Sequence, residues 1–413
     1  MPGPRKTRRL EAKAPAAVRI PGAASLPDVI VRYVLSHLSA RCLFRAAQTC
    51  RAMRGHSLQP SASPHAVEWS GRTCGGLVPE SLLRLRPRDL TVGSSHRVHQ
   101  HDLDTICARM GGTLRRLVVD RAFSVSMAGL STLTQLRHLA VGKDWSYVTD
   151  VAALRHLTQL VALHVPIGLM DMHHVPDSCR ELTVDTTDLN GPGRRAAWLQ
   201  VLQRPLTALT LDDIGGSTDG GRIAEIGAHC RTLHTLHMEQ CQDVAPLAAL
   251  PLLTDLSYEP VPETGAADGL GRLTQLRRLV LCGHEDDTPR VGGLECLSAL
   301  VNLTELRLEG YPASAADVGH LCAARCTALT SLDLRVYEDD AMRLDIRPLS
   351  ALSTLVNLGI WGHCTTAPLL RADWPHPLPR LERLRALPRE HIGVHRSELG
   401  RLYPALKAVN PDS

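Results

Sequence analysis

Aromatic residues make up only 3% of the 413-residue chain, and phenylalanine occurs just twice, at Phe44 and Phe123. Any core must therefore be aliphatic. No run of 18 apolar residues occurs, which excludes a predicted membrane-spanning helix. The N-terminus has basic residues but no apolar stretch behind them, so no secretory signal is expected. The 12 cysteines then read as reduced thiols of a cytoplasmic or nuclear protein. The Arg- and Ala-rich start leaves an organelle transit peptide open, although its prolines interrupt the amphipathic helix such a peptide needs.

Motifs that carry chemistry are also scarce. His99-Gln100-His101 and His173-His174 join neither a helical His pair nor Cys ligands at zinc spacing, so surface histidines are expected and no metal. Gly215 to Gly221 is glycine-rich but lacks the Lys-Ser/Thr of a phosphate loop, and reads as a flexible loop between repeats. Cys322 and Cys326 read as small core residues. No motif for a Ser/His/Asp or Cys/His nucleophile occurs, and no cofactor is expected. The net charge is +4, but residues 1–24 hold six basic residues and one acid (+5), which leaves −1 for residues 25–413. A chain neutral outside its tail is not a general nucleic-acid binder. Arg5 to Arg9 suits either a nuclear localisation patch or a solvated tail.

Leucine is what the chain has in order. A Leu-x-x-Leu-x-Leu pattern recurs with first positions at Pro87, Leu114, Leu136, Leu160, Cys179, Leu206, Leu233, Leu253, Leu276, Leu303, Leu329, Leu355 and Leu381. All spacings but the 19 between Leu160 and Cys179 fall within the 20–29 residues of leucine-rich repeats. The second and third apolar positions are two apart, which is strand period, so both point inward and their neighbours outward. Ahead of several strands the leucines are three apart, as in Leu130/Leu133 and Leu297/Leu300, which predicts a convex helix or 3₁₀ turn. The segments leading through Cys230 and Cys326 resemble the cysteine-containing subclass of these repeats, common in F-box proteins. The fold class expected is an α/β leucine-rich repeat solenoid, a horseshoe, over residues 87–413 with a C-terminal cap. Ahead of it stand a disordered basic tail (1–24), a helical module (25–55) and a linker with N-terminal cap (56–86).

In the module, Pro27 suits a first helical turn. Ile30, Val34, Leu35 and Leu38 come next at helical spacing, and Ser39 can cap a second helix carrying Leu43. This stretch resembles an F-box. Leu26-Pro27 is similar to that family's opening Leu-Pro, and Val34, Leu35 and Leu38 to its Ile-Leu-x-x-Leu. Leu43 to Arg54 is similar to its Leu-x-x-Ala-x-x-Val-Cys-x-x-Trp-Arg, with Cys42, Thr49 and Met53 departing from the usual Asp, Val and Trp. The resemblance implies that Leu26, Pro27, Ile30, Val34, Leu35, Leu38 and Leu43 bind the adaptor of a Skp–cullin–F-box ubiquitin ligase. The partners implied are that adaptor, the cullin scaffold and a protein substrate, without membrane or nucleic acid. Because other subunits supply the ubiquitin chemistry, it also implies that this chain is not an enzyme. A plain cap for the first repeat, a repeat scaffold without a ligase role, and a GTPase activator remain open.

The residue just after the third apolar position is Asp185, Asp212, Glu239 and Glu259 in four consecutive repeats. On strands about 4.8 Å apart they form an acidic ladder, either a solvated edge or a docking surface for a basic segment. Arg278, Arg307, Arg335, Arg383 and Arg385 point outward farther along, with Trp361 as an aromatic anchor for the substrate.

Overall fold

The computed structural model describes residues 66–69, 86–92, 98–119, 125–141, 148–185, 194–212, 220–241, 243–260, 269–283, 294–309, 326–335, 349, 351–361, 378–386, 405 and 407–411. The basic tail and the F-box-like module, with all seven residues assigned to adaptor binding, lie outside the described residues.

One 15-stranded parallel sheet organises the described chain. Its strands are β1 (Ala66–Trp69), β2 (Asp89–Val92), β3 (Arg116–Val119), β5 (His138–Val141), β7 (Ala162–Gly168), β8 (Glu181–Asp185), β9 (Ala208–Asp212) and β10 (Thr235–Cys241). They continue with β11 (Asp255–Pro260), β12 (Arg278–Cys282), β13 (Glu305–Glu309), β14 (Ser331–Arg335), β15 (Asn357–Trp361), β16 (Arg383–Ala386) and β17 (Ala408–Pro411). Each pairs with the next in chain order. The short β4 (Val125–Ser126) and β6 (Val148–Thr149) pair separately.

The register is set by one residue per repeat. Val67, Leu90, Leu117, Leu139, Leu163, Leu182 and Leu209 are successive Cα partners. The same ladder continues through Leu236, Leu256, Leu279, Leu306, Leu332, Leu358 and Leu384 to Val409. All thirteen leucines are buried. A one-residue slip would turn every one of them to solvent, so the pattern fixes the pairing. The sheet extends one strand beyond the sequence pattern at each end, into the segment read as linker and cap (β1) and past the last leucine motif (β17).

Opposite the sheet, the leucines three apart form 3₁₀ turns. Leu133 N–H donates to the Leu130 carbonyl at 2.8 Å and Leu136 N–H to the Leu133 carbonyl at 2.9 Å, and the bonds recur at Leu273 and Leu276 (2.9 and 3.0 Å). Three longer convex segments are α-helices: α1 (Gln100–Met110), α2 (Arg194–Leu202) and α3 (Gly220–His229). Of the glycine-rich stretch expected as a loop, Gly220 and Gly221 instead open α3, and residues 215–219 lie outside the described residues. The buried Trp198 of α2 donates to Glu225 Oε2 of α3 at 3.0 Å, and Arg195 Nη2 pairs with Glu225 Oε1 at 2.9 Å.

Consecutive repeats are also tied by side chains. Ser178, Thr232 and Thr354 hydroxyls donate to the carbonyls of Leu160, Leu206 and Leu329 at 2.7, 2.7 and 2.8 Å, each the first-position leucine of the preceding repeat. The 19-residue repeat has its own device. Arg204, on the following repeat, donates to the carbonyls of Met172, Val175 and Pro176 at 3.1–3.2 Å, closing the end of the 3₁₀ helix Leu169–His174. Gly227 sits where a Cβ would collide with the Pro246 backbone carbonyl of the next convex turn. Gly227→Ala should therefore push two repeats apart and lower the thermal unfolding midpoint by several degrees, at roughly 1–3 kcal/mol. An unchanged midpoint would mean that the turn can move aside.

Candidate interaction surface

Outside the bulges, the strands alternate between the core and the opposite face. In β13, Leu306 and Leu308 are buried while Glu305, Arg307 and Glu309 are partly exposed. The outward positions form three columns, and their charges are unevenly shared. Strands β7 to β11 hold six acids (Glu181, Asp185, Asp212, Glu239, Asp255, Glu259) and no Lys or Arg. Strands β12 to β16 hold five arginines (Arg278, Arg307, Arg335, Arg383, Arg385) against three acids (Glu305, Glu309, Asp333). The face is polar in both senses, with its negative half in the middle of the sheet.

The acidic ladder is only partly continuous. Asp185 and Asp212 are direct Cα partners, so their backbones stand one strand spacing apart. Glu239 falls in a bulge of β10, between Met238 and Cys241, where the register with β11 shifts. The bulge sets two residues, Glu239 and Gln240, opposite the single Glu259, which is half-buried. A second irregularity, in β7 between Leu163 and Ile167, places Gly168 opposite Asp185. Close to the ladder, His164 Nε2 lies 3.6 Å from Glu181 Oε2. Trp361 ends β15 in register with Arg335 of β14.

The basic half is less basic than its arginines imply. Glu305 receives Arg307 Nε at 2.8 Å and Arg278 Nε at 3.4 Å, so one carboxylate compensates two guanidinium groups on neighbouring strands. Arg383 and Arg385 are exposed on β16. Glu305 precedes a ladder leucine, in a column that the sequence reading did not follow.

The remaining sequence candidates are structural. His99 is the N-cap residue of α1, and its backbone N–H donates to Asp102 Oδ2 at 3.3 Å. Gln100 ties α1 to Ser126 through both amide atoms, at 2.6 and 3.2 Å. His173 and His174 end a 3₁₀ helix with ring centroids 3.7 Å apart. Burial pushes the thiols of Cys107, Cys230 and Cys241 up to about 12 and that of Cys179 to about 11, so these side chains are protonated core residues. Cys230 and Cys326, each three residues before a first-position leucine, donate to the carbonyls of Leu202 and Leu297 in the preceding repeats, both at 3.7 Å. Among the described residues, no group of three or more His, Cys, Asp or Glu is placed to hold a metal ion, and no helix is long and apolar enough to cross a membrane.

Residues 23–62 match the F-box-like family model. No curated protein matches the chain's sequence. Among solved structures the chain is similar to an internalin of Listeria monocytogenes, at 18% identity over 68% of this chain and 76% of that one, with a TM-score of 0.40. A leucine-rich repeat protein of Leptospira interrogans is similar at 14% identity over 81% and 93% of the two chains, with a TM-score of 0.33. The TLR13–ssRNA13 complex is similar at 14% identity over 87% and 58%, with a TM-score of 0.42. The repeat fold stands on the leucine register itself. This chain therefore carries an F-box-like segment ahead of a leucine-rich repeat solenoid, a combination that indicates a protein-interaction role.

Proposed function

We propose that the chain is the substrate-recognition subunit of a Skp–cullin–F-box ubiquitin ligase. The observation that carries this reading is the F-box-like match at residues 23–62, three residues ahead of β1. In this reading Leu26, Pro27, Ile30, Val34, Leu35, Leu38 and Leu43 hold the adaptor, which links the chain to the cullin scaffold. The sheet's polar face holds a protein substrate, and other subunits perform the ubiquitin transfer. Full-length chain should retrieve the adaptor from a cell extract, and a chain lacking residues 25–55 should not. Retrieval of no adaptor by the full-length chain would leave an interaction scaffold as the function.

The substrate site proposed is the acidic half of the sheet, Asp185, Asp212, Glu239 and Glu259, with Trp361 as an anchor toward the opposite end. A basic segment lying across the paired backbones of β8 and β9 would offset the repulsion of carboxylates one strand spacing apart. Neutralising Asp212 and Glu239 together, to Asn and Gln, should then have two opposite effects. The free protein should gain a few tenths of a kcal/mol, while substrate affinity should fall and lose salt dependence. Affinity measured at low and high salt decides between the readings: identical slopes for wild type and double mutant would reduce the acids to a solvated edge.

A further inference from the structure

A second charged feature lies at the other end of the sheet, on the residue immediately C-terminal to each first-position leucine. Backbone bonds link these residues directly from repeat to repeat: Arg115 N–H donates to the Arg88 carbonyl at 2.6 Å, Arg137 to Arg115 at 2.7 Å and Val161 to Arg137 at 2.8 Å. Arg88, Arg115 and Arg137 therefore stand in one column at strand spacing, about 4.8 Å apart. Arg116 lies beside them in the next column, with Asp89 and His138 as its Cα partners.

All four arginines are exposed. None of their guanidinium groups has a hydrogen-bond or ion-pair partner among the described residues. The chain holds 42 arginines and four lysines, so the residue type marks nothing here; the lack of compensation does. Farther along the same column, Thr207, Thr254, Thr304 and Thr330 interrupt the arginines, so no other three successive repeats carry one there. At the far end Lys407 Nζ pairs with Glu382 Oε1 at 2.8 Å, and on the sheet face Glu305 serves both Arg278 and Arg307. Arg88, Arg115 and Arg137 directly precede β2, β3 and β5 in three successive repeats, and the one carboxylate on these three strands, Asp89, stands opposite Arg116 without an ion pair to any of the four guanidinium groups. Like charges at this spacing repel, so the row is set up to receive negative charge from outside.

We propose that Arg88, Arg115, Arg116 and Arg137 form a docking strip for a short run of Asp and Glu in a partner protein. Length, chemistry and surroundings each narrow the choice. The column spans two strand spacings, about 10 Å, which an extended peptide covers in three or four residues. Guanidinium groups take carboxylates through paired N–H donors. The amides of Arg115, Arg116, Arg137 and His138 all donate within the ladder, so no backbone cradle remains there for a tetrahedral phosphate. Strands β2, β3 and β5 carry no Phe, Tyr or Trp on which bases could stack. A longer polyanion continuing along the sheet would meet the six acids of β7 to β11. The strip is independent of the ligase reading and of the acidic substrate site.

The test uses full-length chain and four fluorescent probes of equal net charge or composition: a tetraglutamate peptide, its glutamine counterpart, a phosphoserine peptide and a single-stranded oligodeoxynucleotide. The tetraglutamate peptide should bind with an affinity that falls as salt rises, and the glutamine peptide should not bind. Arg88→Glu/Arg115→Glu/Arg137→Glu should weaken binding by about tenfold or more, the sum of three exposed contacts. The same three positions changed to Gln should weaken it in the same direction, which separates lost contacts from any effect of the reversed charge on folding. Arg383→Glu/Arg385→Glu, the same kind of charge change at the other end of the sheet, should leave it unchanged. The proposal is overturned by an absence of tetraglutamate binding, by equal binding to wild type and both triple variants, or by tenfold tighter binding of the phosphoserine peptide or the oligonucleotide.

Discussion

Leu279→Ala should cost the solenoid about 2–5 kcal/mol. Leu279 is fully buried on β12, between Leu256 of β11 and Leu306 of β13 in the register. Truncating it leaves a cavity that neighbours on both sides line, and neither can close it without breaking its own register. In a stack where each repeat contacts only the next, one weak joint loosens the array on both sides. Urea unfolding of the full chain should show a lower midpoint. Val280→Ala is the control: Val280 is the half-buried outward neighbour on the same strand, and its loss should cost well under half as much. Equal effects at the two positions would mean that the ladder runs through the wrong residue.

The ladder was legible in the sequence because a two-residue alternation inside a 20–29-residue period leaves one choice of inward face. The strands at its ends were not, because Val67 and Val409 hold the ladder position there without a leucine motif around them. The acidic ladder was legible as composition but not as geometry. The β10 bulge adds one residue, so that Glu239 and Gln240, between the buried Met238 and Cys241, stand opposite the single Glu259, and the spacing of the leucines gives no sign of it. Glu305 and Arg204 were missed for a different reason: their roles are contacts to other repeats, and Arg204 reaches carbonyls 28 to 32 residues away. The arginine strip carries a sequence signal, an arginine directly C-terminal to the first apolar position in three successive repeats (Arg88, Arg115 and Arg137). The strand alternation does not reveal it, because that alternation points only to the residues flanking the second and third apolar positions.

In the proposed ligase reading, changing Leu26 and Pro27 together to alanine should abolish adaptor binding. The two residues open the F-box-like segment. The sequence pattern puts Pro27 in a first helical turn, where proline fixes φ without losing a backbone hydrogen bond, so its loss would free the start of the expected helix with Ile30, Val34, Leu35 and Leu38. Leu26 adds an apolar contact just ahead of it. The expected helical pair is short and would bury little surface by itself, so in the proposed interface these few side chains carry much of the binding, and losing one such anchor should cost about 2 kcal/mol or more. The solenoid should be unaffected, since its leucines begin at Leu90 and pack on one another.

The most direct test is hydrogen exchange on the full-length chain with and without a purified Skp-type adaptor. The ligase reading predicts slowed exchange concentrated in residues 23–62, absent in the Leu26→Ala/Pro27→Ala variant, with the strands from β2 onward unchanged. Unchanged exchange across residues 23–62 at saturating adaptor would contradict it.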